Sequence, residues 1–420
     1  MFDLLIKGTN VHEKGEGLDI GIKAGAIAAI ERNLPESQAR TVLDGRGRFV
    51  APGFVDSHMH FDKTLTMSDK ESCNLTEAIA SFAAYCNSFS ENDLVDDITK
   101  RAKQLVKMIV PNGTTTARTH VNLDFNTRYA GVLALSQIKK ELADIIDIQL
   151  SVLPTFYPDP ADREKSFAML EDVCAKGLVD YIGGAPFFSS HEQNARNIDR
   201  LFEVAQKYDM PIDLHVDEAD EPDVHCLEHV ADRTIATGYQ GRVSCGHVTA
   251  MNAVDEETRK RVIEKCHRAD LQIITLPSCN LFLMGRRDKQ PVRRGITTVK
   301  EFLAAGVNVS FASDNIRDPF RPYGNGDMLE ECLLTVQILQ MALKEELEAV
   351  FKMGTYNPAR ALRLPNYGLD VGKKADMVLY ETRDLATTII SQGVKSAVIK
   401  NGKVVATTKK EIIMPGWDAL

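Results

Sequence analysis

Pro52-Gly53-Phe54-Val55-Asp56-Ser57-His58-Met59-His60 reads as a short apolar strand that ends in two histidines. In extended chain, residues i and i+2 point the same way, so His58 and His60 can reach one metal ion from a single strand end. Imidazole suits zinc or iron. An H-x-H pair alone is a weak signal, and its weight depends on what recurs downstream.

What recurs is the strand. Counting Pro52 to Asp56 as the first, further apolar runs follow at Thr114 to His120, Asp147 to Leu153, Val179 to Gly184, Ile212 to Val216, Arg242 to Gly246, Leu271 to Leu276 and Val307 to Ala312. From the second run on, successive starts lie 33, 32, 33, 30, 29 and 36 residues apart. Each interval holds one strand, one helix and two short loops. The first interval is longer and carries an extra helical stretch from Leu75 to Ile109. Eight β-then-α units predict an α/β fold, a (β/α)8 TIM barrel; an open doubly wound sheet is the alternative. A single long amphipathic helix, about Met328 to Ala349, is expected to pack on the core.

The two ends have a different texture. Leu4 to Ile6, Asp19 to Lys23 and Ala26 to Ile30 read as short strands, and Ala375 to Tyr380 as another. Val394 to Lys400 and Lys403 to Val405 flank Asn401-Gly402, a strong two-residue hairpin signal. The segments 1–52 and 365–420 are therefore expected to form one small β-sandwich domain, with 53–364 as the barrel.

Composition narrows the partners. The chain has 420 residues, 44% hydrophobic and 26% charged, which is ordinary for a globular protein with a large core. A formal net charge of -9 argues against a nucleic-acid surface, because phosphates need clustered Lys and Arg. No run of about 18 apolar residues is present, so no membrane span is expected. Met1 to Lys7 reads as a strand and not as a signal peptide. The eight cysteines, Cys73 among them, form no C-x-x-C pair and read as reduced thiols of a cytoplasmic protein.

Catalytic groups of such barrels stand at the C-terminal ends of the strands. The fifth strand ends in Leu214-His215-Val216-Asp217-Glu218, the sixth in Cys245-Gly246-His247, the eighth in Ala312-Ser313-Asp314-Asn315. His215 is a third ligand candidate. Glu218 falls where the chain turns over the barrel mouth, a place suited to proton transfer rather than ligation. Asp314 can bind a metal and take a proton from water. Each residue alone has an ordinary explanation, such as a satisfied core histidine or a helix cap. Jointly, five metal-capable groups fall at the mouth ends of four strands.

Other histidines are less telling. His120 closes the second strand and is a pocket candidate. His225 and His229 are four apart, a spacing that can bind zinc on one helix face, although an outer amphipathic helix explains them as well. His12, His191 and His267 have no partner in sequence and read as solvated. The fourth strand ends in Ile182-Gly183-Gly184 with no Lys to bridge two metals, so one metal ion is the simpler expectation.

These residues together resemble the amidohydrolase superfamily, in its cytosine deaminase-like branch, over nearly the whole chain. The likeness rests on Pro52 to His60, His215-Val216-Asp217-Glu218, Gly246-His247-Val248-Thr249, Arg293-Arg294-Gly295-Ile296-Thr297, Ser313 to Phe320 and Gly372 to Val378. The resemblance implies that His58, His60, His215 and Asp314 hold one divalent metal per subunit, zinc or iron or else manganese. It implies that His247 orients or activates water and that Glu218 moves a proton onto a ring nitrogen of the substrate. It also implies a small heterocyclic substrate and a homo-oligomer.

Cytosine deaminases present a Gln after the third strand, whereas Thr155 stands about there in Leu153-Pro154-Thr155-Phe156-Tyr157. Thr cannot offer the paired donor and acceptor of an amide, which weighs against cytosine itself. The stretches 314–318 and 323–328 look equally like the triazine-processing relatives, such as N-isopropylammelide amidohydrolase. Pocket candidates are Thr155, Phe156, Asn280, Arg286, Phe320 and His120. The expected reaction is hydrolytic deamination of an aminated pyrimidine, purine or triazine. Hydrolysis of an N-alkylamine or cyclic amide at the same site is the alternative, and a non-catalytic scaffold the remote one.

Overall fold

In the computed structural model, residues 1–67, 74–293 and 295–414 are described. Cys73, Arg294 and residues 415–420 of the expected terminal segment lie outside them. The chain forms two compact units. One comprises Met1–Gly53, Val110–Thr115 and the described residues from Asn366 on; the other comprises Phe54–Ile109 and Thr116–Pro365.

The first unit is a β domain. Its strands are β1 (Phe2–Val11), β2 (Gly15–Lys23), β3 (Ala26–Glu31), β4 (Ala39–Asp44) and β5 (Phe49–Pro52). β1 pairs with β2 on one edge, while its other edge forks between β4 and β5. Three strands from the far end of the chain, described below, extend this sheet. One apolar cluster is shared by both wings: Leu4, Ile20, Ile22 and Ile27 pack with Met377, Leu379, Ala397 and Ile399. The strands of both chain ends thus belong to one eight-stranded hydrogen-bonded sheet, where the sequence predicted a sandwich. His12, expected to be solvated, is instead 4% exposed, its ring edge-on to Phe49 at 5.9 Å.

The second unit carries the barrel, apart from the first two residues of its second strand, Thr114 and Thr115. Its strands are β6 (Phe54–Met59), β7 (Thr114–Leu123), β8 (Asp147–Pro154), β9 (Tyr181–Gly184), β10 (Ile212–Val216), β11 (Val243–His247), β12 (Gln272–Thr275) and β13 (Asn308–Phe311). They lie side by side in sequence order, and the pairs from β7 to β13 are parallel. Most strand residues are buried, as expected when helices cover the outer face. The last strand meets the first through a bridge between Met59 and Asp314, with the Asp314 N–H donating to the His58 carbonyl at 2.9 Å. Asp56 reinforces that seam: its carboxylate accepts from the Ser313 N–H and hydroxyl. Burial pushes its pKa up to about 7.

Helices start where their sequences supply caps. Asn74 and Glu77 form a capping box at Leu75–Asn87, and Asp159 caps Pro160–Ala175 just before its proline. The helix expected over about 328–349 is two helices, Met328–Ile338 and Lys344–Met353. Gln340 takes a left-handed φ of 53°, and the Glu346 carboxylate accepts the Ala342 and Leu343 N–H groups. A side chain that satisfies a new helix start outcompetes helix propagation there.

The remaining strands are β14 (Met377–Tyr380), β15 (Lys395–Lys400) and β16 (Lys403–Thr407). Lys400 pairs with Lys403 across Asn401-Gly402, both with positive φ, the two-residue turn the sequence predicts. Asp376 fixes it, accepting from the buried Lys400 ammonium at 2.6 Å and the Asn401 N–H at 2.7 Å.

Candidate active site

The ends of β6, β10, β11 and β13 converge. His58 Nε2 lies 3.2 Å from His215 Nε2, which lies 3.3 Å from His60 Nε2. Asp314 Oδ1 stands 3.2 Å from His60 Nε2 and 3.7 Å from His58 Nε2. All four residues are buried. A tetrahedral metal with ligand distances of ~2.0–2.1 Å would set its donors about 3.3 Å apart, close to these spacings.

Electrostatics agree with that fit. Burial, and then the neighbouring charged groups, push the pKa values of His58, His60 and His215 well below the ordinary imidazole value. The rings are therefore neutral, the form that ligates. Neither buried Asp314 oxygen accepts a hydrogen bond among the described residues. A buried carboxylate with no donor is costly, and a cation among these four side chains removes the cost.

Three strand ends hold residues in left-handed backbone: Asp217 (φ 47°), His247 (67°) and Asp314 (59°). Val248 follows at φ 53°, a strained value for a β-branched residue. Such turns aim the side chains inward and are stored where the surroundings enforce them. His247 Nδ1 faces both Glu218 Oε1 at 3.2 Å and the Asn280 amide at 3.1 Å. Its Nε2 has no hydrogen-bond partner among the described residues, and His247 belongs to a donor group with His58 and Asp314. Burial lowers the His247 pKa to about 4, so this ring is neutral. Glu218 moves the other way. Burial, then the Asp314 charge, raises its pKa well above the ordinary glutamate value, a shift that favours the protonated form.

These groups open onto a cavity of about 330 Å³. Thr155, Phe156 and Phe320 line it, together with His60, His215, Glu218, His247 and Asp314. Asn280 is not on the lining and instead touches His247 from behind. Arg286 is exposed, its guanidinium over the Phe282 ring at 4.7 Å, also off the lining. His120 lies below the cavity, 4.0 Å from the His58 ring centroid, with Nε2 3.0 Å from Asp213 Oδ2. His58, His120 and Asp213 make a second, deeper donor group. Its carboxylate is already matched by Arg118, 2.7 Å away.

Sequence reasoning missed Asp213 and Lys63. Asp213 precedes His215 by two residues on β10, so the same i, i+2 rule that paired His58 with His60 could have found it. Lys63 lines the cavity with its Nζ 2.8 Å from His60 Nδ1 and 5.5 Å from the Phe320 ring centroid. It lies past the strand end, where no periodicity marks direction.

Gly246 is a tight point. A Cβ there would stand 2.9 Å from His58 Cε1 and 3.0 Å from its Nδ1. Gly246→Ala should displace that ring and lower metal retention about 10–100-fold, the range typical for ligand-orienting residues. Competition with a chelator reads this directly; unchanged retention would mean that the ring has room to move.

The amidohydrolase family profile matches residues 41–139 and 156–406. This chain belongs to the amidohydrolase family. Among its relatives, the N-isopropylammelide isopropyl amidohydrolase of Pseudomonas sp. (strain ADP) is 30% identical over 419 residues, 98% of this amidohydrolase and 99% of that protein. A pterin deaminase of Rhizobium rhizogenes is 30% identical over 400 residues, 93% of this chain and 89% of that one. The crystal structure of 5-methylcytosine deaminase from Klebsiella pneumoniae, liganded with 5-fluorocytosine, superposes with a TM-score of 0.90 at 28% identity, covering 98% of this chain and 99% of that one. The TIM barrel and the separate terminal sheet are thus those of an amidohydrolase. Among the described residues of this amidohydrolase, no helix is long and apolar enough to cross a membrane.

Proposed function

We propose that this amidohydrolase is a mononuclear metal-dependent deaminase of an aminated nitrogen heterocycle. The observation that carries the reading is a buried Glu218 on the cavity lining, its pKa pushed up by burial, 3.2 Å from a neutral His247 and beside the four-residue donor cluster. An acid and a base with opposed pKa shifts in one pocket is the pattern of proton-transfer catalysis. The names of the pterin deaminase and the 5-methylcytosine deaminase support the same class.

His58, His60, His215 and Asp314 would hold one divalent ion; zinc, iron and manganese all suit N and O donors. Such an ion supplies Lewis acidity, which lowers the pKa of a coordinated water toward neutrality. The chain's own groups do the rest. Asp314 or Nε2 of His247 accepts the proton of the attacking water, and the two groups aim its oxygen at the amidine-like carbon. Glu218 gives its proton to the adjacent ring nitrogen as the C–O bond forms. The proton gained by Asp314 or His247 then passes to the exocyclic amine. The C–N bond breaks and ammonia leaves while the hydroxyl proton of the adduct passes to the Glu218 carboxylate, so the ring carries a carbonyl and Glu218 regains its proton. Asn280 holds the His247 ring from behind.

Leu75, Ile79, Phe82 and Ala83 form an apolar wall of the cavity. That wall favours a second reading, in which the leaving group is an alkylamine, the chemistry named for the Pseudomonas relative. One experiment separates the two. Metal-reconstituted protein is offered aminated pyrimidines, purines, triazines and pterins, alongside N-alkylated triazines, and products are analysed for ammonia and alkylamine. Ammonia from one ring class is the expected result. Alkylamine release without ammonia would replace the first reading by the second. Removal of the metal should abolish turnover in either case, and adding it back should restore it.

A further inference from the structure

A second donor cluster stands apart from the catalytic groups. His191 opens the helix His191–Tyr208, and His225 opens the helix His225–Thr237. Asp223 bridges them: Oδ2 lies 2.7 Å from His191 Nε2, and Oδ1 lies 2.6 Å from His225 Nδ1. The two imidazoles stack, with centroids 3.6 Å apart and planes at 27°. One ring nitrogen from each histidine and one carboxylate oxygen lie within 4.8 Å of one another.

Sequence pointed elsewhere, to His225 with His229 one turn on. His229 in fact turns to Asp199, 2.9 Å away, which leaves His225 for His191, a residue with no partner in sequence.

The ordinary account of such a cluster is a surface ion-pair group, which contributes little to stability. The donor chemistry goes further than that account. Two imidazoles and one carboxylate are the protein ligands of an open three-ligand zinc site, with water in the remaining position. Asp223 stays ionised: burial pulls its pKa up, but the contacts with His225 and His191 outweigh this and hold it below the ordinary value. The side chains are 68%, 43% and 24% exposed for His191, Asp223 and His225, so water can complete the coordination. Cys226 does not join the set. Its Sγ, 3.2 Å from His225 Nε2, donates to the Pro186 carbonyl, and burial raises its pKa so that the thiol keeps its proton. The Asn194 amide, 3.3 Å from His225 Nε2, occupies the other side of that ring.

We propose that His191, Asp223 and His225 form a second divalent transition-metal site, separate from the cluster of His58, His60, His215 and Asp314. An ion there ties the segment after β9 to the segment after β10. The first of these supplies Phe187, Phe188 and Ser189 to the cavity lining, and the second supplies Glu218. The ion therefore acts as a clamp at the mouth, not as a reactant.

The test is a metal count. Untagged full-length protein is stripped of metal, dialysed to equilibrium against micromolar zinc chloride, and analysed for zinc per chain. The wild type should hold two ions, and His191→Ala/His225→Ala one. His58→Ala/His60→Ala should also hold one, which shows that the two sites are independent. Asp223→Asn, a near-isosteric change, should lose the second ion while keeping the wild-type circular dichroism, which separates ligand loss from misfolding. One ion in the wild type, or two in both the paired alanine variant and Asp223→Asn, overturns the proposal.

Discussion

Glu218→Gln should retain the metal and lower turnover by about 10²–10⁴-fold, the usual share of a positioned general acid or base. Gln has nearly the same shape, so the cavity and the contact with His247 survive. What it lacks is the transferable proton. Burial and the nearby Asp314 raise the Glu218 pKa and so favour keeping that proton, whereas an exposed glutamate has no such bias. Metal content measured beside kcat makes the result specific. A fall in both would mean that Glu218 supports the ligand cluster and does not transfer the proton. Turnover within a few-fold of wild type, with metal retained, would remove Glu218 from the mechanism.

Arg118→Met should destabilise the protein by about 3–5 kcal/mol, the cost of leaving a buried charge without its partner. Arg118 is wholly buried, and its guanidinium ties together several barrel strands. Nε lies 2.7 Å from Asp213 Oδ2 on β10 and donates to the Ser57 carbonyl on β6 at 3.1 Å; another nitrogen donates to Ser244 Oγ on β11 at 3.2 Å. Its face stacks over Tyr181 of β9 at 4.6 Å. Methionine keeps much of the volume and none of these donors. Equilibrium urea denaturation of the two proteins gives the difference. Adding Asp213→Asn to Arg118→Met should restore part of the loss, because it removes the stranded charge. A loss under about 1 kcal/mol would show that water replaces the guanidinium.

Much of the fold was legible because it is written locally. A barrel strand declares itself in four to six apolar residues, and a regular spacing of such runs leaves few other architectures. Ile212 to Val216 is β10 to the residue. Asn401-Gly402 forms its turn because both residues tolerate positive φ, a property of the dipeptide alone. The candidate ligands were legible for the same reason: strand ends face the mouth, so position along the strand implies direction.

What sequence could not supply was everything that depends on which strand ends meet. His60 and His215 are 155 residues apart, and only closure of the sheet brings their nitrogens to 3.3 Å. Asn280 near His247, Lys63 beside His60, and His191 stacked on His225 all join residues from separate segments of the chain, so no local period of 2 or 3.6 links the partners. The break at Gln340 was hidden because a carboxylate six residues on caps a helix start that propensity does not announce. The protonation states were hidden most deeply. Glu218 and Glu346 are the same residue type, yet burial raises the pKa of Glu218, while Glu346, hydrogen-bonded by two backbone N–H groups, has its pKa lowered. Sequence determined which groups stand at the strand ends; the tertiary structure decided their charge, because a pKa follows the solvent and partners that folding takes away or supplies.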